Sequence, residues 1–279
     1  MFGGPNSNLE ATEALLAEAA RLGVPPQRVI CTGDVVAYCA DPVATVRLVR
    51  EAGIHVVMGN CEESLAADAD DCGCGFAEGS TCAGLSGRWY AYARKRLSEA
   101  DRAWMAALPR RIDFRMAGRR LTVVHGTPST INRYVFASTP AAEKLTEIAG
   151  TGSDGVICGH CGLPFSELIP DRAGSRLWLN AGAIGVPAND GTPRVWYALL
   201  SPSTDGILAV HRPLAYDHRT AAAKMRANGL PEEYAQALET GLWDNCDVLP
   251  SAETQAQGQP LAPPALTWPH RSVEGAMAR

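Results

Sequence analysis

Apolar residues recur at helical spacing in LEATEALLAEAARLGV (residues 9–24), with Ser7 or Asn8 placed to cap the start of a helix. The short β-branched run in RVICTGDVVAY follows and stops at Gly33-Asp34. DPVATVRLVREAG predicts a second helix, with Pro42 in its first turn and Gly53 ending it. HVVMGN is another short apolar run, closing at Gly59-Asn60. This strand–helix–strand rhythm predicts an α/β core with loops gathered at the strand ends. Residues 68–87 are rich in Gly, Ser and Cys without a period, which predicts a long loop. RWYAYARKRLSEADRAWMAAL (88–108) reads as one helix closed by Pro109. RRIDFRMAGRRLTVVHGTPS reads as a hairpin around Ala117-Gly118, its second strand ending at His125-Gly126. SDGVICGHCGLPF is a further strand, ending at Gly159-His160. RLWLNAGAIGVP and TPRVWYALLSP read as paired strands joined by a turn at Asn189-Asp190-Gly191, and ILAVHRPLAY closes the sheet. Residues 217–242 predict one or two amphipathic helices, broken near Gly229-Leu230-Pro231.

Composition adds boundaries to this picture. The chain has 279 residues, enough for one large domain or two small ones with an adequate core. Its 46% hydrophobic and 20% charged residues are those of a soluble globular protein. A net charge of -5 argues against a broad nucleic-acid footprint, and the short basic clusters at 94–96 and 110–111 read as solvated faces. No apolar run approaches the length of a membrane span, and the first residues lack the order of a signal peptide, so the expected compartment is the cytoplasm. Oligomeric state has no signature in the sequence. Nine cysteines are unusual. Their odd count without an export signal argues against a disulfide framework and leaves core filling, metal binding or redox chemistry.

Four strands end in Gly33-Asp34, Gly59-Asn60, His125-Gly126 and Gly159-His160. Oxygen and imidazole donors brought to one end of a sheet suit Mn, Fe, Ni or Zn. This order resembles the calcineurin-like metallophosphoesterases, especially the compact bacterial branch with the pattern D-x-H-G-N, G-D, G-N-H-D/E, H-G and G-H-x-H. The resemblance covers roughly residues 3–212 and includes SNLEA, GDVVAYCADP, VVHGTP and NAGAIGVPANDGTPRVWYALL. It implies a four-layer α/β/β/α sandwich and hydrolysis of a phosphomonoester or phosphodiester, small molecule or nucleotide, by metal-activated water. It implies Asp34, Asn60, His125 and His160 as the ligands of one divalent metal ion. The domain is then expected over 1–214, with a helical segment over 215–248 packed on it and a Pro/Gln-rich disordered tail over 249–279. The family's first strand needs about five residues before its D-x-H motif, in keeping with ordinary strand lengths. Three precede Gly4 here, which suggests a stunted strand or a native start upstream of Met1.

The chain departs from the pattern at several ligands. Gly4 and Asn6 stand at the D-x-H positions, Cys61 at the histidine of G-N-H-D/E, and Gly162 at the second histidine of G-H-x-H. Two dications ~3.5–4 Å apart repel by roughly 17–19 kcal/mol at an effective dielectric of ~20, so a pair cannot be held by the one aspartate that remains. Either one metal binds or thiolates have moved in. Cys39, Cys61, Cys72, Cys74, Cys82 and Cys161 are the candidates, for a soft ion or an iron–sulfur cluster. Cys31 and Cys158 lie in apolar strands and are expected in the core, and Cys246 is left unassigned. Cys61 as a phosphatase nucleophile would need an arginine in its loop, and GNCEESL has none. At the catalytic position a thiol of pKa near ~8.5 is a poor copy of an imidazolium, so Cys61 reads as ligand or relic. The expected function is a metal-dependent phosphoesterase with a rearranged, mononuclear or cysteine-supplemented site. Its competitors are a non-catalytic metal- or cluster-binding sensor on the same fold and a thiol redox protein using Cys72, Cys74 and Cys82.

Overall fold

The computed structural model describes residues 1–172 and 174–270. Asn8 caps helix α1 (Leu9–Arg21), its side-chain oxygen accepting the Ala11 N–H. Strand β1 (Ile30–Cys31), helix α2 (Pro42–Glu51) and strand β2 (His55–Val56) follow, with β1 and β2 parallel. Helices α3 (Asn60–Ala66), α4 (Thr81–Arg96) and α5 (Glu99–Ala106) come next. Strands β3 (Ile112–Met116) and β4 (Arg119–Val123) form the expected antiparallel hairpin around Ala117-Gly118. Helix α6 (Ala141–Thr151) leads to β5 (Gly155–Cys158), β6 (Phe165–Asp171) and β7 (Gly174–Asn180), completing a sheet of order β3-β4-β5-β7-β6. The chain continues through β8 (Val195–Ser203), β9 (Gly206–Leu214), α7 (His218–Ala227), α8 (Glu232–Thr240), α9 (Ser251–Gln255) and β10 (Leu266–Pro269), with β8, β9 and β10 paired in that order.

Met1, Phe2 and Gly3 act as a three-residue strand. Met1 and Ala198 exchange backbone hydrogen bonds of 2.9 Å, Phe2 bridges Cys31, and Gly3 bridges Ala183. The short β1–β2 pair is thereby stitched to β8, giving a second sheet opposite the five-stranded one. Successive side chains of a strand face opposite sides, and the core divides accordingly. Ile157, Leu177 and Leu179 meet Ile30, Val57, Ala198 and Ile207 between the sheets. Val156, Cys158 and Trp178 turn the other way, onto Ile148 of α6. Phe2, Cys31, Val56 and Tyr197 carry α1, α2, α7 and α8 through Leu15, Val46, Ala222 and Leu238. The architecture is the expected α/β/β/α sandwich. Among the described residues no helix is long and apolar enough to cross a membrane.

Four expectations need correction. The helix read over 88–108 is two helices. Ser98 accepts the Asp101 N–H, while Asp101 accepts the Ser98 N–H, a reciprocal cap that starts α5 afresh. The loop expected over 68–87 is shortened, because Ser80 caps α4 from residue 81. Strands β7 and β8 are in different sheets, since β7 is claimed on both edges by β5 and β6. The tail expected to be disordered from 249 carries α9 and β10. It is held there by Trp268, which is 1% exposed, donates Nε1 to the Ser175 hydroxyl and lies under the Arg119 guanidinium. Residues 271–279 of that expected tail lie outside the described residues.

Candidate metal centre

The ends of β1, β2, β4 and β5 all open at one edge of the two sheets, and the four sequence-predicted ligands stand there. Gly33 has φ 96°, and a Cβ on it would come within 2.9 Å of both the Gly59 backbone and His125 Nδ1. Only glycine permits so close an approach of three strand ends. Asn6, Asp34 and His160 adopt left-handed φ of 52°, 56° and 60°. Non-glycine residues reach that region at a cost that surrounding contacts must offset, and such residues cluster at functional sites.

His125 Nδ1 lies 2.6 Å from the Thr32 carbonyl, which only accepts, so Nδ1 carries the proton and Nε2 faces the centre. Around Nε2 lie Asn60 Oδ1 at 2.9 Å, His160 Nδ1 at 3.0 Å and Asp34 Oδ2 at 3.2 Å. Asn60 is aimed from behind: its Nδ2 donates to the Cys72 carbonyl at 2.9 Å, leaving Oδ1 for the centre. Asp34 Oδ1 accepts the Cys61 N–H, which turns Oδ2 toward His125. Tyr134 packs its ring over His160 with centroids 4.2 Å apart. Burial disfavours the charged forms, yet the apposed charges win at two groups: the pKa of His125 is raised by Asp34 and that of Asp34 is lowered by His125. His160 is pushed down to about 3 by burial and then by the neighbouring His125, so it is a neutral imidazole with a free lone pair.

Glu62, at the D/E position of G-N-H-D/E, is not among the expected site residues. It is fully buried, and Oε2 accepts the N–H groups of Asp34 at 2.8 Å and Gly59 at 2.9 Å, while Oε1 accepts that of Val36 at 3.3 Å. It pins the β1 turn to the β2 turn. Burial and then Asp34 raise its pKa to about 7.

Among the described residues no thiol joins the group of Asp34, His125 and His160. Cys72 and Cys74 form a disulfide with each other, contrary to the expectation of free thiols, so these two sulfurs are not presented as thiolates to an ion or cluster. The single residue between them lets the pair close within one turn of loop, which cysteine counting does not register. Cys61 is 1% exposed, absent from the cavity wall, and its thiol is held protonated by burial and by Asp34. Cys39 is buried and directs its thiol to the Gly185 carbonyl. Cys161 and Cys82 line the cavity, the first taking the Asn180 amide at 3.1 Å and the second facing Asn245 Oδ1 at 3.3 Å. Cys31 and Cys158 are core residues as expected, and half-buried Cys246 lies 4.0 Å from the Asn189 amide.

Above the centre is a cavity of about 110 Å³, with Asn6, Asp34, His125 and His160 on its floor. Tyr38, Phe76, Tyr134, Val186, Tyr234 and Trp243 form much of its wall. Trp243 is the residue no sequence signal could have found. Held by Nε1 to the Pro187 carbonyl and by its N–H to Asn189 Oδ1, it lies against Gly162, where an added Cβ would meet its ring at 3.7 Å.

Two imidazole nitrogens, one carboxylate oxygen and one amide oxygen converge, and the outer atoms of His125, Asn60 and Asp34 are already tied to carbonyls and an N–H group, an arrangement in which such side chains hold a divalent ion. Among the described residues the donor atoms of Asp34, His125 and His160 lie within 4.8 Å of one another, and this group could hold a metal. Where the family's pattern places the donors of a second ion, Gly4 and Gly162 offer none, Asn6 offers only an amide, and Trp243 lies against Gly162.

A protein of Methanocaldococcus jannaschii described as uncharacterised protein MJ0912 is 25% identical over 251 residues, covering 85% of this chain and 95% of that one. The crystal structure of a metallophosphoesterase from Sphaerobacter thermophilus has a TM-score of 0.66 at 24% identity, covering 86% and 97% of the two chains. That of hypothetical protein PH1004 from Pyrococcus horikoshii has a TM-score of 0.69 at 16% identity, covering 87% and 97%. These two likenesses show the fold. Residues 7–205, well over half of the chain, match the model of the calcineurin-like phosphoesterase superfamily domain, a family whose members bind divalent metals, and the chain belongs to that superfamily.

Proposed function

We propose that the chain is a metal-dependent phosphoesterase working with one divalent cation held by Asp34, Asn60, His125 and His160. The observation that carries this reading is the meeting of those four side chains, drawn from four strand ends, around His125 Nε2. A cation bound there would lower the pKa of a water molecule and polarise a phosphoryl oxygen. The protein's own part is to orient and to exclude. The Thr32 carbonyl fixes the His125 tautomer, the Cys72 carbonyl fixes the Asn60 amide, and Tyr134 holds the His160 ring. The aromatic wall keeps bulk water from the floor, where polar interactions strengthen as the dielectric falls. Residues 1–214 constitute the domain on this reading. The segment 215–248 completes the cavity through Tyr234, Trp243 and Val248.

One observation favours a second reading, a metal-binding protein without catalysis. Cys61, at the position where the family's histidine would donate a proton, is buried off the cavity with its thiol neutral. Metal analysis of purified protein and hydrolysis assays with Mn, Fe, Ni and Zn separate the two. One ion per chain with turnover that is lost in His160→Ala supports the phosphoesterase. One ion without turnover of any ester supports the second reading, and a chain that retains no ion refutes both.

A further inference from the structure

Resting on the metal site of that reading but not on its catalysis, we propose that Cys72 and Cys74 are a reversible redox site that sets the centre's affinity for its cation, high when the two are joined and low when they are reduced. The inference comes from what the disulfide holds. It closes a small ring around Gly73, and both carbonyls of that ring are engaged by asparagine amides. The Cys72 carbonyl accepts Asn60 Nδ2 at 2.9 Å, and the Gly73 carbonyl accepts Asn132 Nδ2 at 2.8 Å. Asn60 presents its other amide atom to the centre. Asn132 lies two residues before Tyr134, whose ring packs over His160. One covalent ring thus braces two of the four donors, Asn60 directly and His160 through the segment between β4 and α6.

The local backbone makes this brace depend on the S–S bond. Residues 67–80 form no helix or strand. Gly73 has φ 62° and lies directly on α3, where an added Cβ would come within 2.8 Å of Ser64 Oγ. Glycine enters such a conformation easily and leaves it as easily. While the ring is closed, the carbonyls of Cys72 and Gly73 keep fixed directions toward the two asparagines. Once it opens, residues 72–74 regain backbone rotation, and metal binding must bear the cost of ordering them again. Groups that hold a ligand from behind are typically worth about ten- to a hundredfold in metal affinity. The two sulfurs are buried, but Asp71 and Gly75 beside them are exposed, so a reductant reaches the pair when this loop opens locally.

The co-reactant is a dithiol, small molecule or protein. It supplies two electrons and two protons: the Cys72–Cys74 bond breaks, each sulfur becomes a thiol, and the dithiol closes to its own disulfide. The reverse step consumes a disulfide oxidant, which is reduced to two thiols. A phosphine used in its place takes an oxygen from water and ends as the phosphine oxide.

The test uses the full chain, stripped of metal and divided into an untreated sample and one reduced by tris(2-carboxyethyl)phosphine and desalted without air. The other seven cysteines are free, so reduction changes this pair alone, and thiol titration after unfolding should count seven thiols before treatment and nine after it. Mn, a hard ion that thiols do not capture readily, is titrated into both samples by calorimetry. The expected result is a dissociation constant raised about tenfold or more by reduction and restored by oxidised dithiothreitol. The double variant Cys72→Ser/Cys74→Ser should bind as weakly as the reduced protein and ignore the phosphine. Equal affinity in both samples overturns the inference and leaves the metal site standing. So does a count of nine thiols before treatment, a pair that the phosphine cannot open in the folded protein, or loss of the near-ultraviolet circular dichroism on reduction, which would make the pair a structural staple. Binding in neither sample removes the phosphoesterase reading as well. Redox-dependent binding without turnover of any ester upholds the inference and removes catalysis. Should the double variant fail to fold, the two samples of unaltered protein decide alone.

Discussion

Replacing Glu62 separates a hydrogen-bonding role from an electrostatic one. Its carboxylate accepts two short backbone N–H bonds through one oxygen, from Asp34 at 2.8 Å and Gly59 at 2.9 Å, and a longer one through the other, from Val36 at 3.3 Å. Glu62→Ala would leave the two strong donors buried without partners, at about 1–3 kcal/mol each, or roughly 2–6 kcal/mol together. Relief from burying a charge offsets part of this, since burial already lifts the Glu62 pKa to about 7. Glu62→Gln can place its carbonyl oxygen where Oε2 now sits and keep both short bonds. Its amide then opposes the Val36 N–H, donor against donor, so Glu62→Gln should lose about 1–2 kcal/mol, from that one long bond alone. Urea unfolding of metal-stripped protein at pH 7.5, followed by tryptophan fluorescence, reads both values. The expected order is wild type, then Gln, with Ala lowest. Metal content should fall in the Ala variant, because the turns carrying Asp34 and Asn60 lose their common anchor. Equal losses in Gln and Ala would refute the reasoning by showing that charge, and not the N–H bonds, is what matters; so would an Ala variant within about 0.5 kcal/mol of wild type.

Three further outcomes are expected. Trp268→Ala should cost about 3–5 kcal/mol in chemical denaturation and release β10 from β9, seen as faster amide exchange at residues 206–210, because a fully buried indole leaves a large cavity. Chelation should lower the melting temperature of wild-type protein, since an ion at one hundred times its dissociation constant stabilises the fold by about 2.7 kcal/mol, and should leave that of His160→Ala unchanged. Glu18 is held down at about 2 by the Arg21 guanidinium and then by the Tyr197 hydroxyl. With the folded pKa depressed below the ordinary value of 4.5, its contribution is present above pH 4.5 and is lost as pH falls toward 2. Melting temperatures of Glu18→Gln and wild type should therefore differ above pH 5 and converge at pH 2; a constant difference would contradict this account.

The parts legible in the sequence were those fixed by short-range physics. Asn8 as a cap, Pro42 in a first turn, the Ala117-Gly118 hairpin and the glycines beside four strand ends all act through neighbouring backbone, so the local pattern shows them. The candidate centre was legible for the same reason, each ligand sitting at a strand-to-turn transition. The break at Ser98 was equally local and was missed because the apolar period runs through it.

What the sequence alone determined was the alternation of strands and helices, the four donors at strand ends, and the loss of a carboxylate at Gly4 and of imidazoles at Asn6 and Gly162. The tertiary structure decided how strands were shared between sheets, the anchoring of two turns by Glu62, the pairing of Cys72 with Cys74, and the closure of the cavity by Trp243. Nor did any local pattern mark Trp268 as the residue that fastens the last strand. The physical reason is common to most of these. Periodicity and capping are energies of a few adjacent residues, whereas the place of a buried carboxylate or indole is set by which distant segments leave it a partner and a space.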